Sequence, residues 1–552
     1  MPSTHPVISV SGLTVTWPDG SPALRDLDLT LSRGRAGLVG ANGSGKSTLL
    51  RMLAGRQRPS AGHVSVHGEV GYLPQDLDAD PSRPVADFLG VGATLAALRA
   101  IEAGRIDEHL FDAVGDDWDV EERTHAELER QGLPSGALHR RLGELSGGEL
   151  TGLAIARLLL ARPDVLLLDE PTNNLDRAER ERVHDLVATW PRTLLVVSHE
   201  RELLERVDRI ADLRGGSLRW YGGGWSSYAA QVAAEQEAAQ QTVTTARNEV
   251  RRQRRDAVEA ERTLAQRRRV AATAERTTGI GKAARDYLVG RAERSAASYR
   301  HVHADRLDTA RGDLERAEQA VRDDLTIRVD LPQTAVPRGT RVLTHTEAGL
   351  DIVGPERVAL VGPNGSGKTT LLRSWAGLAA PARGEVHVHV PVAFLPQRLD
   401  VLDADAPLAA AVARRHPGAS PEQVRARLAR FGFRGAVGDR LVGDLSGGER
   451  LRATLAALLL ADPAPRLLLL DEPTNNLDLA SYDALVTALA GYRGALVVAS
   501  HDQSFLGDLG LDRIIDLTDA PGAPVRSPGS TGPHRHTSGA AALVATAPSR
   551  PR

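Results

Sequence analysis

The chain has 552 residues, 68 basic against 71 acidic side chains for a net charge of −3, and 41% apolar residues. That length suits three or four domains, or two large ones with an added element, and the apolar share excludes disorder throughout. Cysteine is absent, which excludes disulfides, Cys-ligated zinc, iron–sulfur clusters and thiol catalysis.

The N-terminal MPSTHPVISV has neither the basic nor the apolar region of a signal peptide, and no run of about 18 apolar residues spans a bilayer. A soluble, intracellular, cytoplasmic protein is expected. Lysine occurs only at 46, 282 and 368, and arginine carries the rest of the basic charge.

The chain repeats itself. VGANGSGKSTL at 39–49 returns as VGPNGSGKTTL at 361–371, and GYLPQ at 71–75 returns as AFLPQ at 393–397, both at an offset of 322. LSGGE at 145–149 returns at 445–449, an offset of 300. LLLDEPTNNLD at 166–176 returns at 468–478, and VVSHE at 196–200 resembles VASHD at 498–502, both at 302. Two copies of one domain therefore run in register. The first copy carries 22 extra residues, expected as helix at about 90–130.

In chain order, each copy opens with an apolar strand, a Gly-rich loop and a helix. GANGSGKS at 40–47 and GPNGSGKT at 362–369 fit the phosphate-binding pattern G-x-x-x-x-G-K-[ST]. Its glycines let backbone amides turn inward at a helix N-terminus. The loop candidates are Gly40, Asn42, Gly43, Ser44, Gly45, Lys46, Ser47 and Thr48, and Gly362, Asn364, Gly365, Ser366, Gly367, Lys368, Thr369 and Thr370. Lys46 and Lys368 should reach the outer phosphates, and Ser47 and Thr369 should ligate Mg²⁺. Gln75 and Gln397 follow strands and suit contact with the metal or its water. Ser146, Gly147, Gly148 and Glu149, and Ser446, Gly447, Gly448 and Glu449, open apolar helices. Such a start suits a serine N-cap, and its repetition favours an anion site.

Next come buried-strand runs that end in two carboxylates. Asp169 and Asp471 suit the Mg²⁺ shell, and Glu170 and Glu472 are placed to activate a water. His199 and His501 end a further strand and suit contact with the terminal phosphate.

Residues 229–324 read as helix, a break near 277–281, and helix again, with arms of about 40 residues. Residues 247–300 hold 15 basic and 7 acidic side chains, so positive charge is concentrated on this hairpin. That is an electrostatic footprint for nucleic acid. The tail at 519–552, rich in Pro, Gly and Ser, reads as disordered.

The ordered set of Walker A, Gln-loop, LSGGE signature, Walker B and His switch resembles the ATP-binding cassette superfamily. Two fused cassettes, the charged helical linker and YGGGWSSY at 221–228 resemble its ABC-F branch. The resemblance implies an α/β fold of two P-loop cassettes, 1–228 and 325–518, joined by a long helical hairpin. It implies ATP and Mg²⁺ as cofactors, ATP hydrolysis with Glu170, Glu472, His199 and His501 as catalytic groups, and Ser47, Gln75, Asp169, Thr369, Gln397 and Asp471 around the metal. Each ATP would be sandwiched, with Ser446–Glu449 completing the first site and Ser146–Glu149 the second. One chain would then suffice as a monomer. Trp17, 29 residues before Lys46, suits adenine stacking, whereas the same spacing before Lys368 meets Gly339.

The branch also implies a ribosomal partner. The hairpin would approach rRNA and peptidyl-tRNA, in a translation factor or a protector against ribosome-targeting antibiotics. The alternative is the ATP-binding subunit of an ABC membrane transporter, which has no need of a basic hairpin. An SMC-like ATPase is disfavoured, because there the coiled coil interrupts a cassette.

Overall fold

The structure, a computed structural model, describes residues 7–16, 22–77, 80–277, 282–321, 331–346, 349–475, 477–517 and 525–526. The chain divides into two compact units. One comprises residues 1–225 with 325–552, and the other residues 226–324.

The first unit holds two copies of one architecture. In the first copy a six-stranded sheet runs in the order Val70–Leu73, Val165–Asp169, Thr193–Val197, Arg35–Val39, Arg209–Arg214, Ser217–Gly222. Its first five strands are parallel and the last is antiparallel. Parallel strands covered on both faces read as continuous apolar runs. Val165–Asp169 and Thr193–Val197 are accordingly buried at every position. A three-stranded antiparallel sheet, with Ile8–Thr16 between Pro22–Leu31 and Ala61–Val66, packs its leucines and valines into the same core.

The second copy repeats this order as Val392–Leu395, Leu467–Asp471, Ala495–Ala499, Arg357–Val361, Arg513–Asp516. Val525–Arg526 pairs antiparallel at its edge. Those two residues fall within the tail expected to be disordered, and the remainder of 519–552 lies outside the described residues. The extra segment of the first copy forms three short helices, Gly92–Glu102, Glu108–Val114 and Val120–Arg130.

The second unit is built from two helices, Trp225–Thr277 and Lys282–Ala320. The first is 53 residues long and the second 39. The first exceeds the expected 40 because it starts directly after the Gly222–Gly224 run and its sequence has no Gly or Pro before Gly279. Antiparallel pairing is shown by Arg247, which donates to Glu318 at 2.8 Å. Val243, Ala260, Ala310 and Ala317 are buried, so the seam is made by small side chains that let the helices approach closely. Residues 278–281 of the expected break lie outside the described residues, as do the side chains of 267, 268 and 270–296.

Candidate nucleotide sites

Sheet order brings each set of motifs together. The strands before the Gln, the paired carboxylates, the His and the P-loop are four adjacent parallel strands. Their carboxyl ends share one edge, where open α/β sheets bind ligands. The second cassette assembles its set identically.

The P-loops are shaped for phosphate. Gly45 and Gly367 sit at φ 98° and 90°, which only glycine adopts without strain, and they start the helices Lys46–Leu53 and Lys368–Trp375. Lys46 Nζ donates to the carbonyls of Gly40 and Ala41 at 2.8 and 3.0 Å. Lys368 Nζ donates to Gly362 and Pro363 at 2.7 and 3.1 Å, and lies 2.9 Å from His501 Nε2. Burial pushes both ammonium groups down, opposed by neighbouring carboxylates. Ser44 Oγ and Ser366 Oγ are buried inside the loops with no protein partner. Unpartnered hydroxyls and cations turned onto their own carbonyls fit a phosphate chain.

A divalent cation also fits. Ser47 Oγ donates to Asp169 Oδ1 at 3.1 Å, and Thr369 Oγ1 to Asp471 Oδ1 at 3.2 Å. Both carboxylates are 1% exposed and burial pushes both up. Oxygen donors so desolvated, side by side, suit a hard cation. Gln75 and Gln397 are exposed at the rim, and Gln397 donates to Asn174 Oδ1 at 3.3 Å. Thr48 is buried behind the first loop, and Thr370 lines the second cavity.

Glu170 and Glu472 occupy left-handed backbone, φ 49° and 45°. Such strain persists only where the surroundings enforce it. Here the amide of each donates to the end of the next strand, to Val197 at 2.9 Å and Ala499 at 2.8 Å, which turns the side chain off the strand line. Burial raises Glu170 to about 8 and Glu472 to about 7. His199 Nε2 stands 3.1 Å from Glu170, and His501 Nε2 stands 3.5 Å from Glu472. Burial lowers the imidazoles to about 3 and about 4, so both are neutral. Each site therefore pairs a buried glutamate side chain with a buried imidazole.

The signature serines are helix N-caps. Ser146 Oγ accepts from the Glu149 amide at 3.2 Å while Glu149 accepts from the Ser146 amide at 2.8 Å. Ser446 and Glu449 repeat this box at 3.3 and 2.9 Å. Gly448 is required by close packing, and Gly148 leaves room for the Glu179 carboxylate. A Cβ at Gly448 would stand 1.9 Å from Ser481 Oγ, and one at Gly148 would meet the Glu179 carboxylate.

The cassettes meet head to tail. A Cβ at Gly447 would lie 3.7 Å from Asn42 Nδ2, so the second signature faces the first P-loop. Asn42 N donates to Asp478 Oδ2 at 2.9 Å. In the second site Asn364 Nδ2 donates to Asn174 O at 3.1 Å. Asn174, Leu175 and Arg180 of the first cassette help to line a cavity of about 220 Å³ with Lys368, Glu472 and His501.

Sequence reasoning missed Asn174, Asp478 and Arg180, although NNLD recurs at the common offset and flags the segment. It also missed Tyr72, whose hydroxyl hydrogen-bonds to Asp169 and which burial pushes up to about 12. Phe394 replaces it in the second copy. Trp17 lies outside the described residues.

The ABC transporter family pattern matches residues 24–173 and 346–475. The chain is 36% identical over 537 residues to the tylosin resistance ATP-binding protein TlrC of Streptomyces fradiae, covering 90% of this chain and 94% of that protein. It is 30% identical to human ATP-binding cassette sub-family F member 3, over 88% of this chain and 67% of that one. It is 29% identical to the energy-dependent translational throttle protein EttA of Mycobacterium tuberculosis, over 87% and 86%. Its fold resembles the archaeal ribosome recycling factor aABCE1, with a TM-score of 0.51 at 20% identity over 92% of this chain and 87% of that one. Among the described residues no helix is long and apolar enough to cross a membrane. With the family pattern matched twice and relatives matched over most of the chain, the chain belongs to the ABC-F branch of the ATP-binding cassette family and is an ATPase.

Proposed function

We propose that this protein acts on the ribosome in the cytoplasm, with ATP closing the two cassettes of a single chain and the hairpin meeting RNA backbone. The observation that carries this reading is a cationic groove on the first hairpin helix, lined by Arg251, Arg254, Arg255 and Arg262 against the one carboxylate of Glu259, with Asn248 and Gln266 at its ends. Exposed guanidinium groups spaced along one helix face suit a phosphate backbone. The names of the relatives support it, one a translational throttle and one a tylosin resistance protein. The 36% relative, a tylosin resistance protein, favours antibiotic protection over a housekeeping role.

In each site the P-loop amides and Lys46 or Lys368 hold the phosphate chain. Ser47, Gln75 and Asp169, and Thr369, Gln397 and Asp471, would hold Mg²⁺. When bound, the cation supplies charge neutralisation of the outer phosphates. Glu170 or Glu472 takes a proton from water as the water oxygen bonds to the γ-phosphorus, and the bond to the ADP oxygen breaks. Neutral His199 or His501 orients the carboxylate and the terminal phosphate. Ser446–Glu449 and Ser146–Glu149 close the first and second sites from the opposite cassette.

Co-sedimentation with ribosomes tests the reading. The protein should pellet with ribosomes in ATP, more strongly as the Glu170→Gln, Glu472→Gln variant, and little in ADP. Expression in a sensitive host should raise tylosin tolerance. Absence of ribosome binding in every nucleotide state would overturn the ribosomal reading.

A further inference from the structure

The two nucleotide sites share their motifs but differ at one buried position between them. Helix Arg177–Thr189 of the first cassette and helix Leu479–Ala490 of the second start on equivalent aspartates, Asp176 and Asp478, each an N-cap. Four residues further on, the first copy has Arg180 and the second has Tyr482.

Arg180 is 9% exposed. Its Nε donates to Leu175 O at 3.1 Å, which fixes the guanidinium plane. The side chain lines the second nucleotide cavity, opposite Lys368, Glu472 and His501. It also lines a narrow cavity with Glu170, His199, Glu200, Tyr482 and Asp502. The buried guanidinium thus stands among several carboxyl groups, and its field favours the charged form of Glu472, Glu200 and Asp502.

Tyr482 is engaged differently. Its hydroxyl donates to Asp508 Oδ2 at 3.0 Å, and the Arg201 guanidinium covers its ring at 4.3 Å from the centroid. Arg201 is itself held by Asp483 and Asp508 at 2.5 and 3.4 Å. The place matching Arg180 is therefore filled by an uncharged phenol, which lines the narrow cavity with Glu170 and His199 and is held by Asp508 and Arg201.

We propose that Arg180 is a positioning residue acting across the interface on the second site, its fixed positive charge in the cavity shared with Glu472 biasing that carboxylate toward the attacking water and making the two ATPase sites unequal. A guanidinium anchored through Nε at Leu175 presents a fixed charge, where an ammonium on a flexible stem would not. A fixed positive group in a water-poor site also offsets negative charge developing on the transferred phosphoryl group at no reorganisation cost. At the equivalent place facing the first site stands the uncharged Tyr482.

The proposal rests on Glu472 acting as the water-activating base, and the test separates the two ideas. Glu170→Gln leaves the second site to turn over alone, and Glu472→Gln leaves the first. Arg180→Met and Arg180→Lys are placed in each background, and kcat and KM for ATP are measured. Arg180→Met should lower the second-site kcat about tenfold or more, a loss on the scale of one preorganised electrostatic group, with a smaller change in KM. Arg180→Lys, which keeps the charge, should recover part of it. The first-site kcat should fall less than the second-site kcat. An equal fall at both sites, or equal kcat for the Met and Lys variants, would make Arg180 an interface brace and overturn the proposal. If Arg180→Met fails to fold, the Lys variant decides: an unequal loss at the two sites supports the proposal and an equal one overturns it. Undiminished turnover in the Glu170→Gln, Glu472→Gln double variant would instead remove the general-base reading, whatever Arg180 does.

Discussion

The backbone amide of Asn42 donates to the carboxylate of Asp478 at 2.9 Å, joining the first P-loop to the second cassette across 436 residues of sequence. Asp478 does two jobs with its two oxygens, because Oδ1 also caps its own helix by accepting from Ser481 N at 2.9 Å. Asp478→Asn keeps a cap but turns an amide donor toward the Asn42 amide. A hydrogen bond to a charged group contributes about 1.5–3 kcal/mol, so closure over the first site should weaken by about tenfold or more. Single-site ATP turnover in a Glu472→Gln background reads this, and an unchanged first-site rate would count against the cross-cassette tie.

Loss of both glutamates should separate binding from hydrolysis. Glu170→Gln with Glu472→Gln should preserve ATP affinity and lower turnover by about 10²–10⁴-fold, the usual contribution of one positioned base. Equilibrium nucleotide titration and steady-state phosphate release, run on the same preparation, check it.

Gly448→Ala should destabilise the second cassette. The new methyl would sit 1.9 Å from Ser481 Oγ and 3.1 Å from Ser481 Cβ, and a serine is too short to swing away. Overpacking of this kind costs about 1–3 kcal/mol. Thermal melting should show the loss, and Gly447→Ala is the control for a helix start with more room.

Acid should act on the first cassette through Glu200. Burial opposes its ionisation, but the His184 side chain, 2.9 Å away, outweighs that together with neighbouring groups and holds Glu200 below its usual value. A depressed carboxylate stabilises the fold above its unfolded value, about 4.3, and that contribution is lost as pH falls through the lower folded value. His184→Ala should lower the melting temperature at neutral pH and flatten its decline below about pH 4. A parallel decline in variant and parent would contradict the assignment.

Charge reversal on the hairpin should report on RNA contact. Arg251, Arg254 and Arg255 to Glu should leave basal ATPase in place, since these exposed residues belong to the hairpin unit. Ribosome binding should weaken, and its dependence on salt should flatten, because each lost phosphate contact releases fewer counterions. Identical salt slopes for variant and parent would remove the groove from the interface.

Much of this protein is written locally. The P-loops, the apolar strands ending in Asp169–Glu170 and Asp471–Glu472, and the capped helix starts at Ser146 and Ser446 each depend on neighbours within a few residues. A repeated string was enough to place them, and the long run of helix formers after Tyr228 was enough to read the hairpin. What the cassettes do to each other is not local. Asp478 against Asn42, Asn174 against Asn364, and Arg180 in one cavity with Glu472 depend on two folded surfaces meeting, and no spacing or periodicity encodes juxtapositions 190 to 436 residues apart. Even the strain at Glu170 and Glu472 arises this way, because the strand that fixes each amide lies about 30 residues further along the chain. Tertiary packing alone decided that Arg180 and Tyr482, equivalent in the repeat, stand in unlike electrostatic surroundings.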